Sequence, residues 1–396
     1  MRYNRQRGFG GGARGNSRSF GGGRNKIRYM RVDPRILVKK AEPVAINEYQ
    51  PAHKFSEFPV TSVIQQNIVA KGYITPTPIQ DQVIPEIMAG KDVVGLANTG
   101  TGKTAAYLIP LIDKIEKNAS EKVLIIVPTR ELAVQIMDEG KIFARGTRAY
   151  MTLVIGGVDI NRQRRELSRS PRIVVGTPGR LKDLVERRAF NLNEFGTIVL
   201  DEVDRMLDMG FILDIRSLIS RMKRERQSLF FSATMSDKAK IVAREFLHEP
   251  VVVQVATQRA SENVNQDVVK VNGRNKIDLL HDLLIQPGFE KVLVFGRTKH
   301  GMEKLSRTLV ERGFAATAIH GNKSQSQRQR ALTAFRNNQV KILFLLATDV
   351  AARGLDIDSV THVINYELPE TYEDYIHRIG RTGRADKTGM ALTFID

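Results

Sequence analysis

The chain contains no cysteine among its 396 residues. That excludes disulfides, thiolate metal sites and cysteine nucleophiles, and it suits a reducing compartment, so a cytoplasmic location is expected. No stretch approaches the roughly 18 consecutive apolar residues of a membrane span. The opening MRYNRQRGFGGG lacks the apolar core of a secretory leader, and its glycines work against the amphipathic helix of a mitochondrial transit peptide. Acidic residues are missing from residues 1–32, where Arg2, Arg5, Arg7, Arg14, Arg18, Arg24, Lys26, Arg28 and Arg31 supply half of the net charge of +18. A polyanionic partner is the natural reading of that imbalance. Tyr3, Phe9 and Phe20 are interleaved with the arginines. Guanidinium and aromatic planes stack on unpaired bases, which favours RNA over a merely solubilising role. Residues 1–25 are too poor in apolar side chains to bury a core, so the tail should be disordered.

Beyond the tail, a hydrophobic content of 42% supports sizeable cores, and the length suggests two or three domains of roughly 150 residues. Val60, Val63, Ile64 and Ile68 mark one face of a helix. Short apolar runs then alternate with helical stretches: DVVGLA (92–97), VLIIVP (123–128), TLVIGG (152–157), RIVVGTP (172–178), TIVLDE (197–202), SLFFSAT (228–234) and VVVQV (251–255). This is repeated βαβ and predicts a parallel sheet covered by helices. The polar stretch ATQRASENVNQ (256–266) interrupts the pattern, which resumes with KVLVFG (291–296), AATAIH (315–320), KILFLLAT (341–348), THVINYEL (361–368) and MALTFID (390–396). The expected organisation is a basic tail and linker (1–46), an α/β domain (47–255), a linker (256–264) and a second α/β domain (265–396) with little chain beyond its last strand. The chain is expected to act as a monomer, with no membrane partner.

The strand expected at 92–97 runs into ANTGTGKTAAYLIP. Ala97 to Thr104 fits the P-loop spacing that ends in G-K-[ST], with Ala97 where Gly is commoner. Gly100 and Gly102, with Thr99 and Thr101 between and beside them, let backbone N–H groups approach phosphate, and the helix N-terminus that follows adds positive potential. Lys103 can reach the β- and γ-phosphates and the Thr104 hydroxyl can ligate Mg²⁺. A plain Gly-rich turn is the alternative. G-x-G-x-x-G is absent here, which disfavours a nicotinamide-binding loop.

A P-loop calls for a second acidic site at a neighbouring strand tip, and TIVLDEVD offers one. Asp201 can hold Mg²⁺, and Glu202 can orient or deprotonate the attacking water. A solvated strand end or a helix cap is the alternative for the same residues. Chemistry alone gives Asp204 no role.

With these motifs in order, residues 55–396 resemble the DEAD-box RNA helicases, a family of two tandem RecA-like domains. GYITPTPIQ (72–80), with Phe55 seventeen residues before Gly72, is similar to the family's Q motif. The resemblance implies ATP, read by the Gln80 amide, whose donor and acceptor match adenine N6 and N7, with Phe55 able to stack on the base. It assigns Pro128, Thr129 and Arg130 of PTRELAVQ, Gly156–Gly157, and Thr177, Pro178, Gly179 and Arg180 to the RNA backbone. It likens Ser232 and Thr234 of SAT to a coupling motif that bonds Asp204. In the second half it implies RNA contact for Arg297, Thr298, Gln327, Arg330 and Thr348, and nucleotide contact for Asp356. From HRIGRTGR (377–384) it implies arginine fingers at Arg381 and Arg384 and a water- or motif-contacting His377. The family's acidic motif usually reads D-E-A-D. Val203 here replaces Ala, suits a strand end and is expected to leave the chemistry intact. An ATP-dependent, sequence-tolerant RNA helicase is therefore expected, unwinding locally when ATP and RNA close its domains. A DNA-directed helicase or translocase, and a non-enzymatic ATP-gated RNA clamp, are the rival readings.

Overall fold

A computed structural model of the chain describes residues 37–41, 49–98, 100–255, 262–346, 360–369, 371–383 and 388–395. The basic tail, most of the expected linker at 256–264, and Thr99, Thr348, Asp356 and Arg384 lie outside the described residues.

The first sheet holds β1 (Val93–Leu96), β2 (Val123–Ile126), β3 (Met151–Val154), β4 (Ile173–Gly176), β5 (Thr197–Leu200), β6 (Gln227–Ser232) and β7 (Val251–Gln254). Their order is β3-β4-β2-β5-β6-β1-β7, and every pairing is parallel. Around it lie α1 (Ser62–Ala70), α2 (Pro78–Met88), α3 (Lys103–Lys117), α4 (Arg130–Phe143), α5 (Ile160–Leu167), α6 (Pro178–Glu186), α7 (Val203–Asp208), α8 (Ile212–Ile219) and α9 (Asp237–Phe246). The second sheet holds β8 (Val264–Lys270), β9 (Val292–Gly296), β10 (Ala316–Ile319), β11 (Ile342–Leu346), β12 (His362–Asn365) and β13 (Gly389–Ile395), in the order β10-β11-β9-β12-β13-β8 and again wholly parallel. Its helices are α10 (Lys276–Leu284), α11 (Lys299–Glu311), α12 (Gln325–Arg336) and α13 (Tyr372–Ile379).

β1, β2, β4 and β9 carry no polar side chain because both faces of each sheet are covered there. In β2, Val123 and Ile125 join one core cluster while Leu124 and Ile126 join another on the opposite face. The second sheet divides the same way: Val292 and Val294 of β9 pack on one side, Leu293 and Phe295 on the other. Because all strands run parallel, their C-terminal ends share one edge of each sheet, and ligands of such sheets bind outside that edge.

One strand departs from expectation. β8 begins at Val264, inside the polar stretch that the sequence reads as linker. It is an edge strand, so only part of it is buried: Val264 is inaccessible, while Asp267 is exposed. Its polar residues reflect that half-exposed position. The free edge of β8 is met by residues 37–41: Lys39 pairs antiparallel with Gln266 through N–H···O contacts of 3.0 and 2.7 Å.

Candidate nucleotide and RNA site

Between β1 and α3 the P-loop turns on Gly100 and Gly102, with φ of 86° and 89°. Gly102 is obligatory on two grounds: its backbone is left-handed, and a Cβ there would collide with the Gln80 amide. Lys103 is buried and donates from Nζ to the Ala97 carbonyl at 2.7 Å, folding over the loop it serves. The Thr101 hydroxyl donates to Asn98 O at 2.8 Å.

Gln80 sits in the first turn of α2, 3% exposed. Its amide oxygen accepts from Thr77 N at 2.9 Å and its nitrogen donates to Gly102 O at 3.1 Å. Thr77 Oγ1 also donates to Thr101 O at 2.8 Å. The residue expected to read adenine is thus pinned to the phosphate loop. Phe55 is held among other rings. It is 3% exposed, with its ring packed against Tyr73 and Phe58 at centroid distances of 5.6 and 5.9 Å.

The tip of β5 lies on the same edge, with β6 between it and β1. Asp201 is 2% exposed. Burial pushes its carboxyl up to about 6, against the opposing pull of Lys103. Tyr107, from the second turn of α3, donates its hydroxyl to Asp201 Oδ2 at 3.1 Å. The motif gave no sign of this partner, since Tyr107 reads in the sequence as one more core residue of an apolar helix. Glu202 adopts a left-handed backbone (φ 53°, ψ 52°) at the start of α7, a strained conformation of the kind found at functional sites. Arg205 Nη1 donates to Glu202 Oε2 at 2.7 Å. Burial disfavours the Glu202 carboxylate, but Arg205, Lys103 and Arg381 outweigh it and hold the group below the ordinary range. Val203 is the first residue of α7 rather than a strand end, and it is wholly buried in the core beneath the site.

Asp204 and the SAT stretch do meet. Asp204 Oδ2 accepts from Ala233 N, Thr234 N and Thr234 Oγ1 at 3.1, 3.0 and 3.2 Å. Asp204 N donates to Ser232 Oγ at 3.3 Å, and that hydroxyl donates to Thr234 O at 2.8 Å.

A few strands away on the same edge, Arg130 lies against the Gly156–Gly157 backbone. A Cβ on Gly156 would stand 2.9 Å from its Nη2, and Gly157 has a φ of 76°. Arg180 donates to Val158 O at 3.0 Å. Gly179 opens to free space. Arg130 is shifted downward by burial and by the nearby Arg328 and Arg180 guanidiniums, against Glu131. Pro128 and Pro178 are buried behind this surface. The Thr129 hydroxyl is not presented as expected: Thr129 is 2% exposed and caps α4 by accepting from Leu132 N at 3.2 Å. Thr177 precedes α6 with no such cap bond.

In the second domain, Arg297 and Thr298 are exposed at the tip of β9, and Thr298 caps α11. Gln327 and Arg330, for which RNA contact is expected, are both exposed on α12, and Gln327 closes a capping box with Ser324. Arg328 meets the first domain. It is buried, and its Nε donates to Glu131 Oε1 of α4 at 2.9 Å, with Gln325 Nε2 at 3.5 Å from the same oxygen. Helical periodicity is the reason, because 325 and 328 share the face of α12 turned to the first domain and 327 and 330 do not. His377 and Arg381 reach a pocket that Lys103, Glu202, Asp204, Arg205 and Thr234 line from the other domain. Arg381 is 8% exposed and donates from Nε to the His377 carbonyl at 3.2 Å.

The fold and this composite pocket define a two-domain P-loop ATPase of the helicase class. Comparison with known proteins agrees. The family model "DEAD/DEAH box helicase" matches residues 77–242 and "Helicase conserved C-terminal domain" matches residues 275–386. The chain is 46% identical over 344 residues to the ATP-dependent RNA helicase CshA of Listeria monocytogenes, covering 86% of this chain and 66% of that one. It is 47% identical over 343 residues to the DEAD-box ATP-dependent RNA helicase CshA of Bacillus subtilis, covering 86% and 69%. It thus spans about two thirds of the length of these relatives. The structure of Saccharomyces cerevisiae Dbp5 bound to RNA and ADP BeF3 superposes with a TM-score of 0.75 at 27% identity, covering 87% of this chain and 90% of that one. The chain belongs to the DEAD-box family of ATP-dependent RNA helicases.

Proposed function

We propose that the protein couples RNA-stimulated ATP hydrolysis to local opening of RNA duplexes, in the cytoplasm and as a monomer. One observation carries the reading: a single pocket is lined by Lys103 and Glu202 of one domain and by His377 and Arg381 of the other. Hydrolysis then requires domain closure. Lys103 steadies the β- and γ-phosphates, Glu202 orients the water, and Arg381 stabilises charge on the transferred group. Asp204, tied to both Ser232 and Thr234, links the site to the rest of the edge.

The oxygen donors of Thr104 and Asp201 suit Mg²⁺, which keeps most of its waters and substrate oxygens and needs few protein ligands. A buried carboxylate whose pKa is raised to about 6 fits such a cation partner. When bound, the ion neutralises phosphate charge. Among the described residues no cluster of three or more His, Cys, Asp or Glu offers a protein-only cage, in keeping with a metal held largely by substrate.

For RNA, Arg130, Arg180 and Arg328 bring three guanidiniums close together on this edge, and Arg328 and Arg180 help lower the pKa of Arg130. Backbone contacts of this kind carry little sequence information. Dbp5, whose structure superposes on this one, was solved bound to RNA. The functional halves are the domain of β1 to β7, ending at residue 255, and the domain of β8 to β13, starting at Val264.

The test is ATP turnover with and without RNA, for the wild type and Lys103→Ala. RNA should stimulate the wild type, and the variant should be inactive. An RNA-independent rate, or a variant as active as wild type, would sink the reading. Equal stimulation by DNA would favour a DNA-directed enzyme, and ATP binding without turnover a clamp.

A further inference from the structure

Residues 162–172 read RQRRELSRSPR, five arginines against one acid, Glu166. Helical phase sorts the side chains of α5 into two faces. Gln163 and Leu167 are buried, and Leu167 joins the core on the Val154 face. Arg162, Arg165 and, just beyond the last turn, Arg169 fall on the opposite face and are all exposed.

Gln163 fixes where this basic stripe begins. Its amide oxygen accepts from Ile155 N at 3.1 Å, and its nitrogen donates to Ile155 O at 3.0 Å and Val158 O at 3.3 Å. These backbone groups bracket the Gly156–Gly157 turn that Arg130 lies against, and Arg180 donates to the same Val158 carbonyl. The buried amide therefore ties the first turn of α5 to the surface expected to hold RNA. β3 is the outermost strand of its sheet and pairs in parallel with β4. The crossover helix α5 must then run back along β3 from the ligand edge, over about 12 Å.

The acid on the stripe is already engaged. Glu166 accepts from the Tyr150 hydroxyl, and Arg169 Nη1 lies 3.5 Å from the same carboxylate. The Tyr150 bond, followed by the attraction of Arg169, Arg162 and Arg165, holds the Glu166 carboxyl below its ordinary range against desolvation. Among the described residues Arg169 alone pairs with it, and Arg162 and Arg165 act on it from farther away. Both are left facing solvent. Tyr150, 41% exposed, adds an aromatic plane beside Glu166.

We propose that Arg162, Arg165 and Arg169 on the outer face of α5 form a second RNA-binding tract, which takes the phosphates of single-stranded RNA running on past the Gly156–Gly157 turn. Guanidinium forks match phosphate oxygens. The exposed Tyr150 ring suits an unpaired base, which favours a single strand over a duplex. The tract lengthens the RNA footprint without adding sequence preference. It rests on the RNA reading above.

The test uses the full chain and labelled oligouridylates: the shortest that binds, and others extended stepwise at either end. Binding is read by fluorescence anisotropy over a range of salt, with ATP turnover measured alongside. The triple variant Arg162→Gln, Arg165→Gln, Arg169→Gln should match the parent on the shortest strand. On extended strands it should bind about tenfold more weakly at low salt. Its salt slope should be shallower by about 2, at about 0.7 for each lost phosphate contact. Glu166→Gln should act in the opposite sense and tighten binding of extended strands about twofold, a gain that misfolding would not produce. Equal losses on the shortest and extended strands, an unchanged salt slope, or no gain from Glu166→Gln would overturn the tract. A larger loss on duplex RNA than on the extended single strand would overturn its assignment to unpaired RNA. A parent that binds RNA without stimulated turnover would overturn the helicase reading instead, and the anisotropy would still decide the tract.

Discussion

The two domains share one architecture, a parallel sheet wrapped by helices, yet their strand tips differ. In the first domain the tips bury their polar groups: Lys103, Asp201, Glu202 and Thr129 are each at most 8% exposed. In the second, Arg297, Thr298 and Arg330 stand at the surface, and the buried cations Arg328 and Arg381 face the partner domain. One sheet therefore buries its own polar groups, and the other presents Arg328 and Arg381 to them across the interface. Burial explains why this division works. Desolvated groups interact strongly and need no reorganisation, whereas a cation that must arrive with closure is best kept on a separate body.

The contrast can be broken most sharply at Arg381. Arg381→Ala should lower the RNA-saturated turnover by about 10³-fold or more while ATP still binds the intact P-loop. Single-turnover hydrolysis beside equilibrium ATP titration separates the two. Equal loss of binding and turnover would mean that the second domain helps form the site before closure. Next comes the bridge between the domains. Arg328→Ala strands the Glu131 carboxylate in the closed interface, and breaking a buried pair from one side costs about 3–5 kcal/mol. Half-saturating RNA should rise by about two to three orders of magnitude, and thermal unfolding of the first domain should hardly move. The swap Glu131→Arg with Arg328→Glu should recover part of the loss if the contact is the cause. The smallest effect is expected from the tail. Deleting residues 1–32 removes nine cations, so RNA binding should weaken and its dependence on salt should flatten. The RNA-saturated rate should stay close to that of the full chain. An unchanged salt slope would remove the tail from the RNA-binding surface.

Both sheets could be read in the sequence because parallel strands are short apolar blocks, and all but one of the strands lay in such a block. β8 escaped because an edge strand needs only one buried face, so VNQDVVK looks polar. The P-loop and the acidic tip were legible because each motif is nearly contiguous and its chemistry is local, whereas the Asp204 partners, 28 to 30 positions away, came from the family resemblance. Val203 was placed one element too early, since the strand ends at Leu200 and the left-handed Glu202 starts a helix. Phe55 and Thr129 are also engaged in packing and capping that a linear reading cannot see.

The sequence by itself determined the nucleotide loop, the paired carboxylates and the order of the elements, since these depend on residues a few positions apart. Tertiary structure alone decided which side chain answers which. Tyr107 reaches Asp201 across 94 positions, Arg328 reaches Glu131 across 197, and Ala41 reaches Asn265 across 224. The physical reason is geometric. Helix phase and sheet order set which faces meet, so Arg328 rather than Arg330 finds the carboxylate, although both are arginines on one helix.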